Sequence, residues 1–430
     1  MNREVELLAV GGGPSNLGLA VALEELAPDL AERTLVIERS ASIEWQQGML
    51  LPWATSQVSF LKDLVTQRDP RSRFSFLNHL HATGRLDAFV NNGTFTPYRL
   101  EISEYLRWVA GSLTRVRYEL GRECASIEPT RDSGGRLAGW LTRLSDGTTI
   151  TSRYVVIGVG RDPNIPAALA GISPAKIIHS TSYRQRVDLL AKDRPYEVAV
   201  VGSSQSAAEM ARALREDLPG SDLAWVMRSI GLRADESTKF TNEMYYPSFT
   251  DEFFAARPQA REQILREMYR TNYSCVTPSM LEHLYTDRYL DKLGKRDDRR
   301  FVTMVDIVGA REEGDRVVLE LSDRRTGAVT ELVRDYVFLG TGFDPRPPWL
   351  IRGLADRLGL GERVDVTRAY RLVLPPSEEG AEAACYLQGV NEATHGIADS
   401  LLSVLACRAA EITRDILARR AVSPAASGSL

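Results

Sequence analysis

One pattern of apolar and polar positions occurs twice along the chain: a short apolar run, a glycine-bearing turn, a helix-length segment and a second apolar run. Residues 4–10 form the first apolar run, followed by Gly11-Gly12-Gly13-Pro14-Ser15-Asn16 and a segment that predicts a helix through Leu26. The strand predicted next, 34–38, ends in the acid Glu38. The second occurrence is 197–201, then Gly202-Ser203-Ser204-Gln205-Ser206-Ala207-Ala208 and a helix to about Leu214. Its following strand, 223–227, runs into the cation Arg228. Two further apolar runs end in glycine turns, Tyr154 to Gly160 and Tyr336 to Gly342. Residues 251–295 read as helical, interrupted by Pro258 and Pro278, and a last helix is expected from about 397 to 420, with Leu401, Leu402, Val404 and Leu405 as its core stripe. No tandem repeat at a solenoid period is present.

Alternating strands and helices predict an α/β fold in which one domain is interrupted by another. The boundaries expected are 1–185 with 335–420 for the first domain and 186–334 for the second, the latter including a mostly helical portion at about 236–300. The tail 421–430 is small and polar and is expected to be disordered. Glu312-Glu313 and the run Lys295 to Arg300 read as solvated loops.

Composition narrows the chemistry little by itself. The 430 residues are 43% hydrophobic and 26% charged, an ordinary globular balance. A formal charge of −4 offers no global attraction to nucleic acid or an anionic membrane. The start MNREVELLAVGGG lacks the basic-then-apolar pattern of a signal peptide, so a cytoplasmic protein is expected. Cys124, Cys275, Cys385 and Cys407 are scattered, with no CxxC pair, which argues against zinc and dithiol chemistry.

The glycine turns carry more. Gly11 permits a tight strand-to-helix turn, and Gly13 lets the backbone approach a pyrophosphate at the helix N-terminus, with Pro14 opening the helix. Asn16 stands at the third fingerprint position in place of glycine, and Glu38 is placed to accept from ribose hydroxyls. In the second turn Ser204 replaces the second glycine, followed by Gln205 and Ser206. Arg228 stands where an acid would select NADH, and a cation there suits the 2′-phosphate of NADPH. Two dinucleotide-binding, Rossmann-like domains in one chain point to a nicotinamide that delivers hydride and a flavin that accepts it. With no cysteine pair, oxygen is the simplest final acceptor.

Beyond these turns the chain carries Trp45-Gln46-Gln47-Gly48-Met49, Gln57-Val58-Ser59-Phe60-Leu61-Lys62-Asp63-Leu64, Gln205-Ser206-Ala207-Ala208-Glu209, Thr271-Asn272-Tyr273-Ser274 and Thr394-His395-Gly396. In this order they resemble the flavin-dependent ornithine and lysine N-monooxygenases of siderophore biosynthesis. Residues 335–348 match that family's D-x3-L-A-T-G-Y-x4-P signature, with Gly340 and Phe343 replacing Ala and Tyr. The resemblance covers nearly the whole chain apart from the tail.

It implies FAD and NADPH as cofactors, L-ornithine and O2 as substrates, and a homotetramer. It further implies that Lys62 pairs with the substrate α-carboxylate and that Asn242 and Asn272 hydrogen-bond the amino acid. Gln57 is implied near the reactive edge of the flavin, and Arg99 near the nicotinamide and substrate mouth. Arg228 is implied at the adenine end of NADPH, with Trp45 and Gly396 in the FAD site. Taken singly, Lys62 reads as an exposed lysine and the two asparagines as turn or cap residues; the joint pattern favours the site. His395 reads as a structural loop residue. Lysine or a diamine in place of ornithine, a peroxide-forming NADPH oxidase, and a non-catalytic nucleotide-binding protein are the alternatives.

Overall fold

Successive side chains of a strand point to opposite faces, so a strand apolar at every position must be covered on both. Leu7 and Ala9 face one apolar cluster and Leu8 and Val10 another. The structure, a computed structural model, describes residues 2–296, 299–361, 364–378 and 382–422. Its first half runs β1 (Asn2–Val10), α1 (Pro14–Leu26), β2 (Thr34–Ile37), α2 (Phe76–Ala82), α3 (Leu86–Asn92), α4 (Arg99–Ser112), β3 (Arg117–Glu119), β4 (Cys124–Arg131), β5 (Leu137–Leu144) and β6 (Thr149–Ile157). There follow β7 (Ile177–His179), β8 (Glu197–Val201), α5 (Gln205–Asp217), β9 (Asp222–Met227), α6 (Phe249–Ala255), α7 (Pro258–Met268) and α8 (Pro278–Leu293). The chain then makes β10 (Arg299–Thr303), β11 (Val305–Glu313), β12 (Arg316–Asp323), β13 (Val329–Arg334), β14 (Tyr336–Leu339), α9 (Trp349–Leu358), β15 (Ala384–Leu387) and α10 (Leu405–Val422).

The first sheet has the order β3-β2-β1-β6-β5-β4, and β15 pairs with the C-terminal half of β6. Helix α9 covers one face through Leu350, Ile351, Leu354 and Leu358. Helices α1 and α10 cover the other, with Leu19 and Leu23 meeting Ala409, Ile412 and Ile416. The second sheet, β10-β9-β8-β14-β7, is parallel throughout. A separate antiparallel sheet, β11-β12-β13, packs against it.

Several expectations change. Residues 177–179 and 336–339, placed by the sequence in the first domain, form β7 and β14 of the second sheet. The helical stretch is interrupted at Pro258 and Pro278 as expected, and each proline opens the next helix, α7 and α8, because a missing N–H is harmless in a helix's first turn. The helix expected from 397 begins only at Leu405; residues 397–404 are two 3₁₀ turns, and Leu401 and Leu402 are half-buried. Glu312 and Glu313 end β11, and Arg299 and Arg300 begin β10; neither pair lies in a loop. The tail 423–430 lies outside the described residues. Among the described residues, no helix is long and apolar enough to cross a membrane, and no group of acids, histidines and cysteines could hold a metal.

The chain's return to its first domain is anchored by a buried ion pair. Arg408 of α10 and Asp399 are 1% and 0% exposed, with Nη1 to Oδ1 at 3.0 Å. Arg408 also donates to Gln388 Oε1 at 3.1 Å and Ser15 Oγ at 3.0 Å, and Asp399 accepts the Asn391 amide at 2.7 Å. Arg408→Met removes the cation and leaves the Asp399 carboxyl group in the core without its ion-pair partner. The expected loss is about 3–5 kcal/mol in chemical denaturation. Adding Asp399→Leu should recover most of that loss, since desolvating the second charge is then avoided.

Candidate active site

At the end of β1, Gly11 has φ +93° and a Cβ there would stand 2.6 Å from the Gly158 carbonyl oxygen, so the turn requires glycine. Gly12 is equally confined: a Cβ would meet Tyr118 Oη at 2.5 Å and Glu38 Cβ at 2.6 Å. Gly13 differs, with nothing within 4 Å of its would-be Cβ. It caps α1 without a side-chain bond, and Pro14 occupies the first turn. The helix start thus has no side-chain cap and has room beside Gly13, which suits a pyrophosphate. Glu38 accepts the Gly12 amide at 2.6 Å and the Ser40 amide at 2.8 Å, one on each oxygen, and each oxygen keeps a lone pair for a ribose hydroxyl.

Asn16 lies under the first turn. Its side chain is fully buried, donates to the carbonyls of Val10 (3.0 Å) and Gly11 (2.8 Å) and accepts from Gln388 at 2.8 Å. It builds the turn from below instead of reaching toward a ligand.

The second turn repeats the steric design. Gly202 has φ +123°, and its Cβ would lie 2.3 Å from the Gly340 carbonyl oxygen. Ser204 Oγ donates to that same carbonyl at 3.1 Å, and Ser206 Oγ lies 3.3 Å from Ser204 Oγ. Helix α5 has neither a side-chain cap nor an acid in its first turn. Arg228 is exposed directly after β9, and among the described residues no carboxylate lies within ion-pair distance. Gln205 is committed to the protein: it donates to Glu209 at 2.9 Å and accepts the Thr277 amide at 2.9 Å.

Arg99, expected near the nicotinamide and substrate mouth, lies at the junction of the two nucleotide domains. It is 5% exposed, and both terminal nitrogens donate to Glu209 at 2.7 Å, one of them also to the Met49 carbonyl at 3.2 Å. Burial and a bidentate carboxylate make it a tie between the two nucleotide domains.

Lys62 is half-buried, and its ammonium donates to the buried Ser403 Oγ at 3.2 Å. Burial pushes its pKa below the ordinary lysine range. Among the described residues no carboxylate pairs with it, so an anion arriving there would be stabilised. Gln57, on the same segment, is exposed. This segment is held by 95–99: Ser56 N–H donates to Pro97 O at 2.7 Å and Phe60 N–H to Phe95 O at 2.9 Å. Trp45 is half-buried and joins Phe60 in the apolar cluster around Phe76 and Phe89.

Asn242, exposed on the turn Thr241–Tyr245, and Asn272, half-buried after the turn Tyr269–Thr271, come from separate helical segments. Their neighbours Met244, Tyr245 and Tyr273 share one apolar cluster with Ile397, Ala398, Leu401 and Val404. Both asparagine segments and Lys62 thus lean on residues 397–404. Gly396 starts that stretch at φ +84°, with the Phe253 ring 3.4 Å from its would-be Cβ. Sequence reading missed Ser403, Glu209 and Tyr118. Only Glu209 left a signal, as an acid among the alanines of an otherwise apolar helix face.

The comparisons agree with one another. A family model described as L-lysine 6-monooxygenase/L-ornithine 5-monooxygenase matches residues 3–345. An L-ornithine N(5)-monooxygenase of Burkholderia cepacia is 38% identical over 410 residues, covering 92% of this chain and 91% of that protein. One from Pseudomonas aeruginosa is 34% identical over 417 residues, covering 95% and 92%. The ornithine N-hydroxylase of Kutzneria sp. 744, solved with reduced FAD, NADP⁺ and L-ornithine, superposes with a TM-score of 0.89 at 35% identity, covering 97% of this chain and 100% of that one.

His395 lies beside this stretch, stacked on Tyr370 at 4.1 Å, with Nε2 3.1 Å from the Arg368 carbonyl oxygen. Burial lowers its pKa from 6.5 to about 4, so the ring is neutral and structural. The unfolded chain therefore takes up this proton first. Stability from this group is fully present above pH 6.5 and is lost as the pH falls toward 4. The expected loss is ~3 kcal/mol over that range. Denaturation curves of His395→Gln should lack that acid limb.

Proposed function

The chain belongs to the L-lysine 6-monooxygenase/L-ornithine 5-monooxygenase family, and from that premise we propose that it hydroxylates the side-chain amine of L-ornithine. The overall reaction joins one amine, O2, NADPH and a proton to give the N5-hydroxylamine, NADP⁺ and water. FAD, reduced by NADPH, supplies the oxygen activation when bound. The two glycine turns suit these dinucleotides: room at Gly13, an acid at Glu38, and the exposed cation Arg228 for a 2′-phosphate.

The observation that carries the substrate assignment is Lys62, a half-buried cation without a carboxylate partner among the described residues. A free α-carboxylate fills that need. Asn242 and Asn272 are the residues we assign to orient the amino acid, since an amide offers donor and acceptor without adding charge. The far amine must arrive neutral. With an ordinary pKa near 10.4, deprotonation at pH 7 costs roughly 4–5 kcal/mol unless the site lowers it. Lys62 contributes here as well, because it anchors the acid end and supplies no anion to the ammonium end. A diamine would leave Lys62 unpaired. Lysine differs from ornithine by one methylene, a discrimination worth about 1–3 kcal/mol; ornithine is favoured by the relatives named above. A cytoplasmic homotetramer belongs to the same proposal.

The direct test supplies purified protein and FAD with NADPH and ornithine, lysine or putrescine separately, and quantifies hydroxylamine against NADPH consumed. Ornithine is expected to give near-stoichiometric hydroxylamine. NADPH consumption that yields only peroxide would identify an oxidase, and no ornithine-dependent oxygen uptake would identify a non-catalytic binder. Lys62→Ala should retain FAD and raise the KM for ornithine about 10- to 100-fold, the loss of one charge-assisted pair. A KM within twofold of the unaltered protein would remove Lys62 from the substrate site.

A further inference from the structure

The segment 47–62, which carries Gln57 and Lys62, belongs by sequence to the first nucleotide domain, yet its first half, 48–54, packs into the second while Phe60 stays in a cluster of the first. Met49, Leu51 and Ala54 lie in the apolar cluster of β8 and α5. Gly48 abuts the backbone at residues 180–181 so closely that a Cβ would stand 2.2 Å from the Ser180 carbonyl oxygen. The contact is not tight along its whole length. A recess of about 280 Å³, open to solvent on one side, lies between residues 50–53 and Ala213, Glu216 and Asp217 on later turns of α5. Apolar packing therefore covers only part of this junction.

Arg99 and Glu209 close it. Arg99 starts α4 in the first domain, and Glu209 projects from α5 in the second. Their side chains are 6% and 3% exposed. Both bonds of the fork are 2.7 Å, which fixes distance and angle together. Arg99 also holds the segment directly: its Nη1 donates to Met49 O at 3.2 Å and its amide to Ala54 O at 2.9 Å. On the other side, Gln205 aligns the Glu209 carboxylate and accepts the amide of Thr277, where α8 begins. A buried pair of this kind adds little net stability, whereas its geometry tolerates few alternatives.

We infer that Glu209 is a positioning residue: through Arg99 it holds residues 47–62 against the second domain and so sets the spacing across which hydride passes. Both side chains are buried and spent on protein partners, so the role inferred for the pair runs through the elements it orients. The functional consequence rests on the FAD and NADPH reading above, while the structural hold does not.

The test uses the full chain with Glu209→Gln, which keeps size and hydrogen bonding but removes the charge. In the protein without added cofactor, hydrogen–deuterium exchange of 47–62 should rise at least tenfold, with β1 and β8 unchanged. In the FAD-loaded protein, anaerobic flavin reduction at saturating NADPH should slow at least tenfold, while the dissociation constants for FAD and NADPH stay within twofold. Exchange and reduction both within twofold of the unaltered protein would overturn the inference. So would a slowed reduction explained wholly by weaker NADPH binding. If Glu209→Gln does not fold, Arg99→Lys, which keeps the charge and loses the fork, is read in the same two assays. Should the unaltered protein fail to be reduced by NADPH, the proposed function falls, and the exchange measurement alone still decides whether Glu209 holds the segment.

Discussion

The buried pair of Arg408 and Asp399 is the interaction on which the first domain depends. The chain leaves that domain after β6 and returns only for α9, β15 and α10, so its parts must find one another across a long excursion. Apolar contacts between α1 and α10 supply attraction without direction. The guanidinium supplies direction: it reaches Ser15 beside the first glycine turn, Gln388 after β15, and Asp399 at the 3₁₀ turns. Gln388 in turn holds Asn16 under the turn. A single buried cation thereby sets the nucleotide turn and the 397–404 stretch in one frame.

The two domains share a steric solution more faithfully than they share residues. In each, the turn glycine lies against a carbonyl at the end of the neighbouring parallel strand: Gly11 against Gly158, and Gly202 against Gly340. Behind Gly158 stands Asn16, and behind Gly340 stands Ala207. This explains why a fingerprint with Asn16 in place of its third glycine still makes the fold. The close approach is transferred to the facing strand, where Gly158 provides the missing volume.

The chemistry proposed for this site needs a cation, two neutral amides and little else in the way of charge. The fold meets that need by bringing three separate segments onto 397–404, a stretch that includes the buried Ser403. His395 is kept neutral by burial beside it. Glu392, beside the same stretch, is itself partnered, by Tyr273 at 2.6 Å and Arg161 at 3.5 Å.

Local pattern alone determined the strands that start each nucleotide domain, the glycine turns, the helices that follow, and the acid or cation that ends the next strand. These features depend on neighbours within a few residues, where periodicity and backbone sterics act directly. The order of the short motifs determined the family and hence the chemistry. Tertiary structure decided the rest. It moved 177–179 and 336–339 into the second sheet, because parallel pairing joins strands far apart in sequence. It broke the helix expected from 397 where a buried ion pair and a positive-φ glycine claim the backbone. It also gave Arg99 to Glu209, 110 residues away. A charged side chain's partner is set by distance in space and by the water excluded around it, and neither is written in its neighbours along the chain.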